Sequence, residues 1–114
     1  MNVKIEAQGN VSVVQCSGSL DADSVVAFKK VTLDLINSGA TKLVIDCAKL
    51  TFVDSMGLGA MISLLRRVRS REGDLKVSGL TDDVKTIFEI TRLHRLFEVF
   101  PDAATACRQF EKSV

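Results

Sequence analysis

The residues best placed to do chemistry fall within one short stretch, residues 50–61. Asp54 and Ser55 are residue types that cap helix N-termini, and Gly57 and Gly59 allow close approach of the backbone. A helix N-terminus presents free N–H groups and a positive partial charge, so it would stabilise a phosphate carried by Ser55. The same residues also fit a plain helix cap. The two interpretations are compatible, because a capping serine can also be phosphorylated.

A hydrolase built on Ser55 is disfavoured by the residues around it. The nucleophile elbow G-x-S-x-G requires glycine where this chain has Val53. The single histidine, His94, is predicted near the end of a helix far along the chain. We therefore predict no catalytic residues and no enzymatic activity.

Nucleotide and metal sites are also disfavoured. Gly57 and Gly59 begin like a dinucleotide fingerprint, but Ile62 stands where the last glycine belongs, and GxxxxGK[ST] is absent. Asp21, Asp46 and Asp54 are predicted near strand ends, where such residues mostly cap helices or remain solvated. The cysteines Cys16, Cys47 and Cys107 form no CxxC pair and are predicted to be buried free thiols. We predict neither a cofactor nor a metal.

Composition narrows the class of protein further. The 114 residues suit one domain, residues 1–114, and 46% of them are hydrophobic. A net charge of +1, with neither Trp nor Tyr, gives no basic surface or stacking platform for nucleic acid. The N-terminus has no apolar signal region, and no apolar run approaches the roughly 18 residues of a membrane span. These features predict a cytoplasmic protein that binds neither membranes nor nucleic acids.

The order of predicted elements indicates an α/β fold. Alternating residues 3–8, a Gly9-Asn10 turn and β-branched residues up to Cys16 predict a hairpin that ends at Ser17-Gly18-Ser19. A first helix follows, with Asp21, Asp23 and Ser24 as candidate caps. The remaining elements are a buried strand at 43–45, a helix at about 57–71, a strand at 75–77, a helix opening at 81–83, a short strand at 96–99 and a helix beginning at Pro101. We predict a single α/β domain: a mixed, mostly parallel sheet of four to five strands with about four α-helices on both its faces.

The second helix should have a buried side and an exposed side. At 3.6 residues per turn, Leu58, Met61, Ile62 and Leu65 share the side that faces the core. The opposite side carries Met56, Ala60, Ser63 and Arg67, with Leu64 at its flank. Apolar residues on that side, next to Ser55, predict a docking surface.

The motifs resemble those of the STAS domain family over nearly the whole chain, which implies a single STAS-like domain. Ser17-Gly18-Ser19-Leu20-Asp21 is similar to the family's G-x-L-D element. Leu43-Val44-Ile45-Asp46 is similar to its buried strand. Phe52-Val53-Asp54-Ser55-Met56-Gly57-Leu58-Gly59 resembles the D-S-x-G-L-G signature, and Gly79-Leu80 with the helix at 84–93 matches later elements. Met56 departs from the pattern, since many members have a small or hydroxyl residue there.

The resemblance implies a stand-alone anti-sigma factor antagonist of a bacterial partner-switching system. In such proteins the serine after the aspartate, here Ser55, is phosphorylated by an anti-sigma factor that is also a serine kinase. A metal-dependent serine phosphatase removes the phosphate. The unphosphorylated protein binds the kinase, and phosphorylation releases it. Together with the helix pattern, this predicts a partner-binding surface formed by Asp21, Asp54, Ser55, Met56, Gly57, Ala60, Ser63, Leu64 and Arg67.

Two alternatives remain within the family resemblance. Some members are structural subunits of stressosome-like scaffolds, and some regulate targets other than a sigma factor. We expect a monomer or weak dimer for the switch, whereas a large assembly would favour the scaffold.

Overall fold

The chain folds into a five-stranded sheet with four α-helices. The computed structural model describes residues 1–111, so residues 112–114 of the predicted domain lie outside the described part. The strands are β1 (Asn2–Gln8), β2 (Val11–Leu20), β3 (Lys42–Val53), β4 (Asp74–Ser78) and β5 (Glu98–Phe100). The helices are α1 (Val25–Asn37), α2 (Ser55–Arg69), α3 (Asp82–Ile90) and α4 (Ala103–Glu111), with a 3₁₀ turn at Leu93–Arg95. The predicted fold class is confirmed.

The strands lie in the order β1-β2-β3-β4-β5. β1 is antiparallel to β2, and the other three pairings are parallel. Each parallel connection moves one strand along the sheet through one helix, so right-handed crossovers place α1, α2 and α3 on the same face. The loops after the parallel strands therefore meet at one end of the sheet, beyond the carboxyl ends of these strands.

Two separate cores lie on the two faces of the sheet. On the face of α1, α2 and α3, a large cluster includes Phe28, Ile45, Met61 and Phe88. On the other face, a smaller cluster under α4 combines Val11, Val13 and Val44 with Ala106, Cys107 and Phe110. Within residues 1–111, no helix combines the length and apolar character that a bilayer crossing needs.

A buried lysine strengthens the contact between α4 and the sheet. The Nζ of Lys76 lies 2.7 Å from Glu98 Oε1 and 3.6 Å from Asp74 Oδ2. It also lies 4.7 Å from the centroid of the Phe110 ring, within cation–π distance. The ammonium group is thus paired at the point where α4 covers β4.

Several predicted boundaries are wrong in the same direction, because strands extend further than local sequence indicates. β2 continues through Ser17-Gly18-Ser19 to Leu20, with shifts in its pairing to β3 between Gln15 and Ser17 and between Gly18 and Ser19. β3 extends eight residues beyond Ile45, to Val53. Glycine and serine are poor strand formers, but here they pair with neighbouring strands: Ser17 with both β1 and β3, and Gly18 and Ser19 with β3.

The helix starts also differ from prediction. α2 begins at Ser55 rather than near Gly57, and α4 begins at Ala103 rather than Pro101. The first turn of α4 is stabilised by Asp102, whose Oδ1 accepts a hydrogen bond from the Thr105 N–H at 2.7 Å. The last strand is Glu98–Phe100 rather than 96–99.

Candidate functional site

Ser55 is the first residue of α2, directly after the carboxyl end of β3. Asp54 is the N-cap residue, with an extended backbone that turns the chain from strand into helix. This is the sheet edge where open α/β folds commonly bind ligands and partners. The structure therefore brings the candidate residues Asp54 and Ser55 together at the end of the sheet where such folds commonly bind ligands and partners.

The Asp54 carboxylate joins two separate segments of backbone. Its Oδ1 accepts a hydrogen bond from the Gly57 N–H at 2.9 Å, which is the helix cap. Its Oδ2 accepts a second from the Ala22 N–H at 3.0 Å, in the loop before α1. The Asp54 N–H in turn donates to the Leu20 carbonyl at 3.1 Å. Asp54 thus fixes the start of α2 against the end of β2.

Gly57 lets α2 approach β2 more closely than any side chain would permit. A Cβ at this position would overlap the Leu20 carbonyl oxygen, and it would lie 2.9 Å from Leu20 Cγ and 3.0 Å from Val53 Cγ1. Gly59, two residues later, has nothing within 4 Å of such a Cβ. Gly57 is buried, and its part in the site is to set the position of Ser55.

The Ser55 side chain is exposed. Among the hydrogen bonds of residues 1–111, none involves its hydroxyl, and the backbone N–H groups of Ser55 and Met56 have no acceptor. By contrast, the Thr51 hydroxyl donates to the Gly18 carbonyl at 3.1 Å. Ser63 is exposed but lies in the middle of α2. Ser55 therefore combines a free hydroxyl with a helix N-terminus.

Asp21 organises the neighbouring loop. Its Oδ1 accepts hydrogen bonds from the backbone N–H groups of Asp23, at 3.1 Å, and Ser24, at 3.2 Å. The Ser24 hydroxyl donates to the Ser19 carbonyl at 2.8 Å and makes no side-chain cap to α1. Of the three candidate caps of the first helix, Asp21 is the one whose carboxylate holds the turn.

The predicted exposed side of α2 is partly wrong. Met56, Ser63 and Arg67 are exposed, but Ala60 and Leu64 are only 3% and 5% exposed. The cause is α1, which packs along this side of α2 and which helix periodicity alone does not reveal. A cleft of about 190 Å³ between the helices is lined by Lys29 and Thr32 of α1 and by Ala60 and Leu64 of α2. Ala60 and Leu64 are core residues and do not belong to an open docking surface.

Exposed apolar side chains nevertheless lie at this edge of the sheet. Met56 is 53% exposed, Phe52 at the end of β3 is 48% exposed, and Val26 in the first turn of α1 is 73% exposed. The Asp54–Ala22 hydrogen bond joins the loop before α1 to the start of α2, so the segments that carry these side chains meet at the end of the sheet where Ser55 lies. Val26 and Phe52 are absent from the surface predicted from sequence. The sequence does indicate that these two side chains are exposed. Each is the direct neighbour of a buried residue, Val25 in α1 and Val53 in β3, and neighbouring residues point in different directions.

The other candidate residues for chemistry remain outside this site. Asp46 Oδ1 accepts a hydrogen bond from the Ala48 N–H within β3. His94 Nδ1 lies 3.3 Å from the Phe88 carbonyl oxygen, in the turn after α3. Across residues 1–111, no group of three or more His, Cys, Asp or Glu side chains is arranged to hold a metal ion.

Comparison with known proteins gives the same picture as the geometry. The chain is 25% identical over 99 residues to an anti-sigma-B factor antagonist of Staphylococcus aureus, covering 87% of this chain and 92% of that protein. Its fold is similar to the crystal structure of an anti-sigma factor antagonist from Mycobacterium paratuberculosis, with a TM-score of 0.87, 22% identity and coverage of 95% and 92%. It is also similar to the phosphorylated form of the Bacillus cell fate determinant SpoIIAA, with a TM-score of 0.75, 19% identity and coverage of 96% and 99%. The STAS domain model matches residues 2–106, which span the sheet, the capped helix and the Asp54-Ser55 site. The chain belongs to the STAS domain family.

Proposed function

We propose that this protein is an anti-sigma factor antagonist whose partner binding ends when Ser55 is phosphorylated. The observation that carries the proposal is the exposed, unbonded Ser55 hydroxyl beside a fully engaged Asp54. The names of its relatives support the antagonist function, and SpoIIAA has been described in both unphosphorylated and phosphorylated forms.

In the unphosphorylated state, the Ser55 region docks on an anti-sigma factor that is also a serine kinase. The exposed side chains of Met56, Phe52 and Val26 supply apolar area, and Ser63 and Arg67 extend the contact along α2. Asp21 and Asp54 act by holding the two loops in place, because their carboxylates already accept backbone hydrogen bonds.

Phosphorylation changes the charge of this surface. The Ser55 oxygen attacks the γ-phosphorus of ATP held by the partner, an O–P bond forms, the bond to the ADP oxygen breaks, and the hydroxyl proton passes to a base on the partner. The modified residue carries about −1.5 to −2 charges next to Asp54. The free N–H groups of Ser55 and Met56 stabilise this charge within the folded domain. A partner surface fitted to a neutral hydroxyl then meets repulsion and a desolvation cost.

The chemistry belongs to the partners, and this chain contributes only the acceptor hydroxyl. A metal-dependent serine phosphatase reverses the reaction, and the cycle takes place in the cytoplasm. We infer no catalytic activity of the chain's own, because within residues 1–111 no side chain accepts a hydrogen bond from the Ser55 hydroxyl and so none is placed to act as its general base.

The test is phosphorylation and binding with the kinase partner from the source cell. Mass spectrometry after incubation with kinase and ATP should place phosphate on Ser55. Ser55→Ala should bind the kinase and resist release, whereas Ser55→Asp should bind poorly. The matched control is Ser70→Ala, an exposed serine at the opposite end of the same helix, which should behave as wild type. Phosphate found only on another residue, or equal affinity before and after modification of Ser55, would contradict the proposal.

A further inference from the structure

One edge of the sheet is formed by a strand with an open outer side. β1 pairs with β2 through all seven of its residues, and within residues 1–111 no segment pairs with its other edge. All of its residues except Val3 are exposed. An open edge presents unpaired N–H and C=O groups that are able to bind another strand.

The β1 sequence is complementary to itself in one antiparallel register. With Ile5 opposite Ile5 of a second copy, Lys4 lies opposite Glu6, Val3 opposite Ala7 and Asn2 opposite Gln8. Each charged side chain therefore lies opposite one of the opposite charge. Apolar side chains lie opposite apolar ones, and the Asn2 amide lies opposite the Gln8 amide. Opposite charges directly across an antiparallel pair stabilise it, and like charges destabilise it.

The neighbouring symmetric registers are unfavourable. A pairing centred on Lys4 places two ammonium groups opposite each other, and one centred on Glu6 does the same with two carboxylates. Charges on an edge strand often prevent self-association. Here Lys4 and Glu6 instead select a single register.

In this register, side chains that lie opposite each other also lie on the same face of the combined sheet. Lys4 and Glu6 lie opposite Gln15 and Val13 of β2, on the face covered by α4, and Gln15 Nε2 donates to Glu6 Oε2 at 3.3 Å. Ile5 lies opposite Val14, on the other face, and is 42% exposed. Pairing of two β1 strands would cover part of each Ile5 side chain with the other.

We propose that β1 is a self-association surface, through which two copies of this chain join their sheets in antiparallel fashion about Ile5. The contact is one seven-residue strand from each copy, well below the size of a stable interface, so the dimer is weak and reversible. The Ser55 site lies at the carboxyl edge of the sheet and stays open in both copies. The inference is independent of the proposed function.

Charge reversal tests the register. Sedimentation equilibrium should show the wild type passing from monomer to dimer as its concentration rises from about 10 µM to about 1 mM, the range of weak complexes. Lys4→Glu and Glu6→Lys should each remain monomeric, since each places like charges opposite each other. An equimolar mixture of the two variants should recover the dimer, because the two carboxylates on β1 of one variant then face the two ammonium groups on β1 of the other. The double exchange Lys4→Glu/Glu6→Lys should recover it as well.

The control is Lys30→Glu, a charge reversal at an exposed position on α1, which should dimerise as the wild type does. A wild type that stays monomeric throughout would overturn the proposal. So would single variants that dimerise as strongly as the wild type, because another surface would then be responsible.

A cross-link tests the geometry. Directly opposed residues of antiparallel strands have Cα atoms about 4.5–5.5 Å apart, within the range that a disulfide spans. Ile5→Cys should therefore form a covalent dimer under mild oxidation. Ile90→Cys, at a position 76% exposed on α3, should remain mostly monomeric at the same concentration. Equal cross-linking of the two variants would count against pairing at β1.

Discussion

The two oxygens of one carboxylate, Asp54, hold the site together. One oxygen caps α2 at Gly57, and the other fixes the Ala22 loop. Because both are engaged, Asp54 is a positioning residue, and the hydroxyl of Ser55 beside it is left exposed and without a hydrogen-bond partner among residues 1–111. The adjacent Asp and Ser of the sequence motif thus have separate physical roles.

The first prediction concerns this cap. Asp54→Ala should lower the free energy of unfolding by about 0.5–2 kcal/mol, the usual cost of a lost N-cap, with the Ala22 hydrogen bond lost in addition. Asp54→Asn retains a capping oxygen and should cost less. Urea denaturation measures both. Asp23→Ala, at an exposed position of the same loop, is the control and should leave stability nearly unchanged. Equal stability of Asp54→Ala and wild type would show that the cap contributes nothing.

The second prediction uses two glycines of the same helix turn. Gly57→Ala should destabilise the fold by about 1–3 kcal/mol, because its methyl group overlaps Leu20 and Val53. Gly59→Ala meets nothing and should stabilise α2 by about 0.5–1 kcal/mol. Urea unfolding measures both changes in the free energy of unfolding, and we expect them to have opposite signs. Destabilisation by both substitutions would mean that the close approach at Gly57 is not the cause.

At the scale of elements, α1 packs against one side of α2 and so limits which of its residues are exposed for partner binding. Met56→Glu should weaken binding of the proposed kinase partner and leave the melting temperature almost unchanged, since Met56 is half exposed. Leu64→Glu should cost more than about 3 kcal/mol, because it removes a buried aliphatic side chain and places a carboxylate in the core beside α1. Thermal unfolding and a binding assay separate the two outcomes. A stable, folded Leu64→Glu protein would show that the helix pair opens easily.

The elements that depend on local pattern were predictable. Alternation and the Gly9-Asn10 turn predicted the first hairpin, and the 3.6-residue period predicted that Leu58, Met61 and Leu65 are buried. Ile62, predicted on the same side, is only half-buried. The extension of β2 and β3 was not predictable in this way. Residues such as Ser17 have no strand preference of their own, and they become strand because neighbouring strands pair with them.

The candidate site follows the same rule. Asp54 and Ser55 were identified because a cap and a helix start are local features. Ala60 and Leu64 were misplaced because their burial depends on α1, which is distant in sequence. The Ala22 contact and the exposure of Val26 likewise depend on how two loops meet, which no periodicity of one segment reveals.

At the scale of the whole molecule, buried thiols make stability depend on alkaline pH. Burial, and to a smaller extent the charge of Asp46, raise the pKa of Cys16 from 9.0 to about 12. Burial likewise raises the pKa of Cys47. Above pH 9 the unfolded chain loses these protons while the folded chain keeps them, so rising pH favours unfolding.

We therefore expect the free energy of unfolding to keep its full value below about pH 9. Between pH 9 and 12 it should fall by about 1.4 kcal/mol per pH unit for one thiol. Urea midpoints from pH 8 to pH 10.5 measure the slope. Cys16→Ala should be less stable at pH 8 but show a shallower decline. An unchanged slope in this variant would assign the alkaline effect to other groups.

The distribution of these thiols over two cores also gives the molecule internal reporters of partial opening. Cys16 and Cys47 lie in the large core, whereas Cys107 lies in the small core beneath α4. A thiol reagent reaches a buried cysteine only when its surroundings open, so the rate of labelling measures the free energy of that opening. Detachment of α4 alone exposes Cys107 and leaves the other two covered. The unmodified protein therefore allows loss of one helix to be distinguished from unfolding of the whole sheet, by the order in which its three cysteines are labelled.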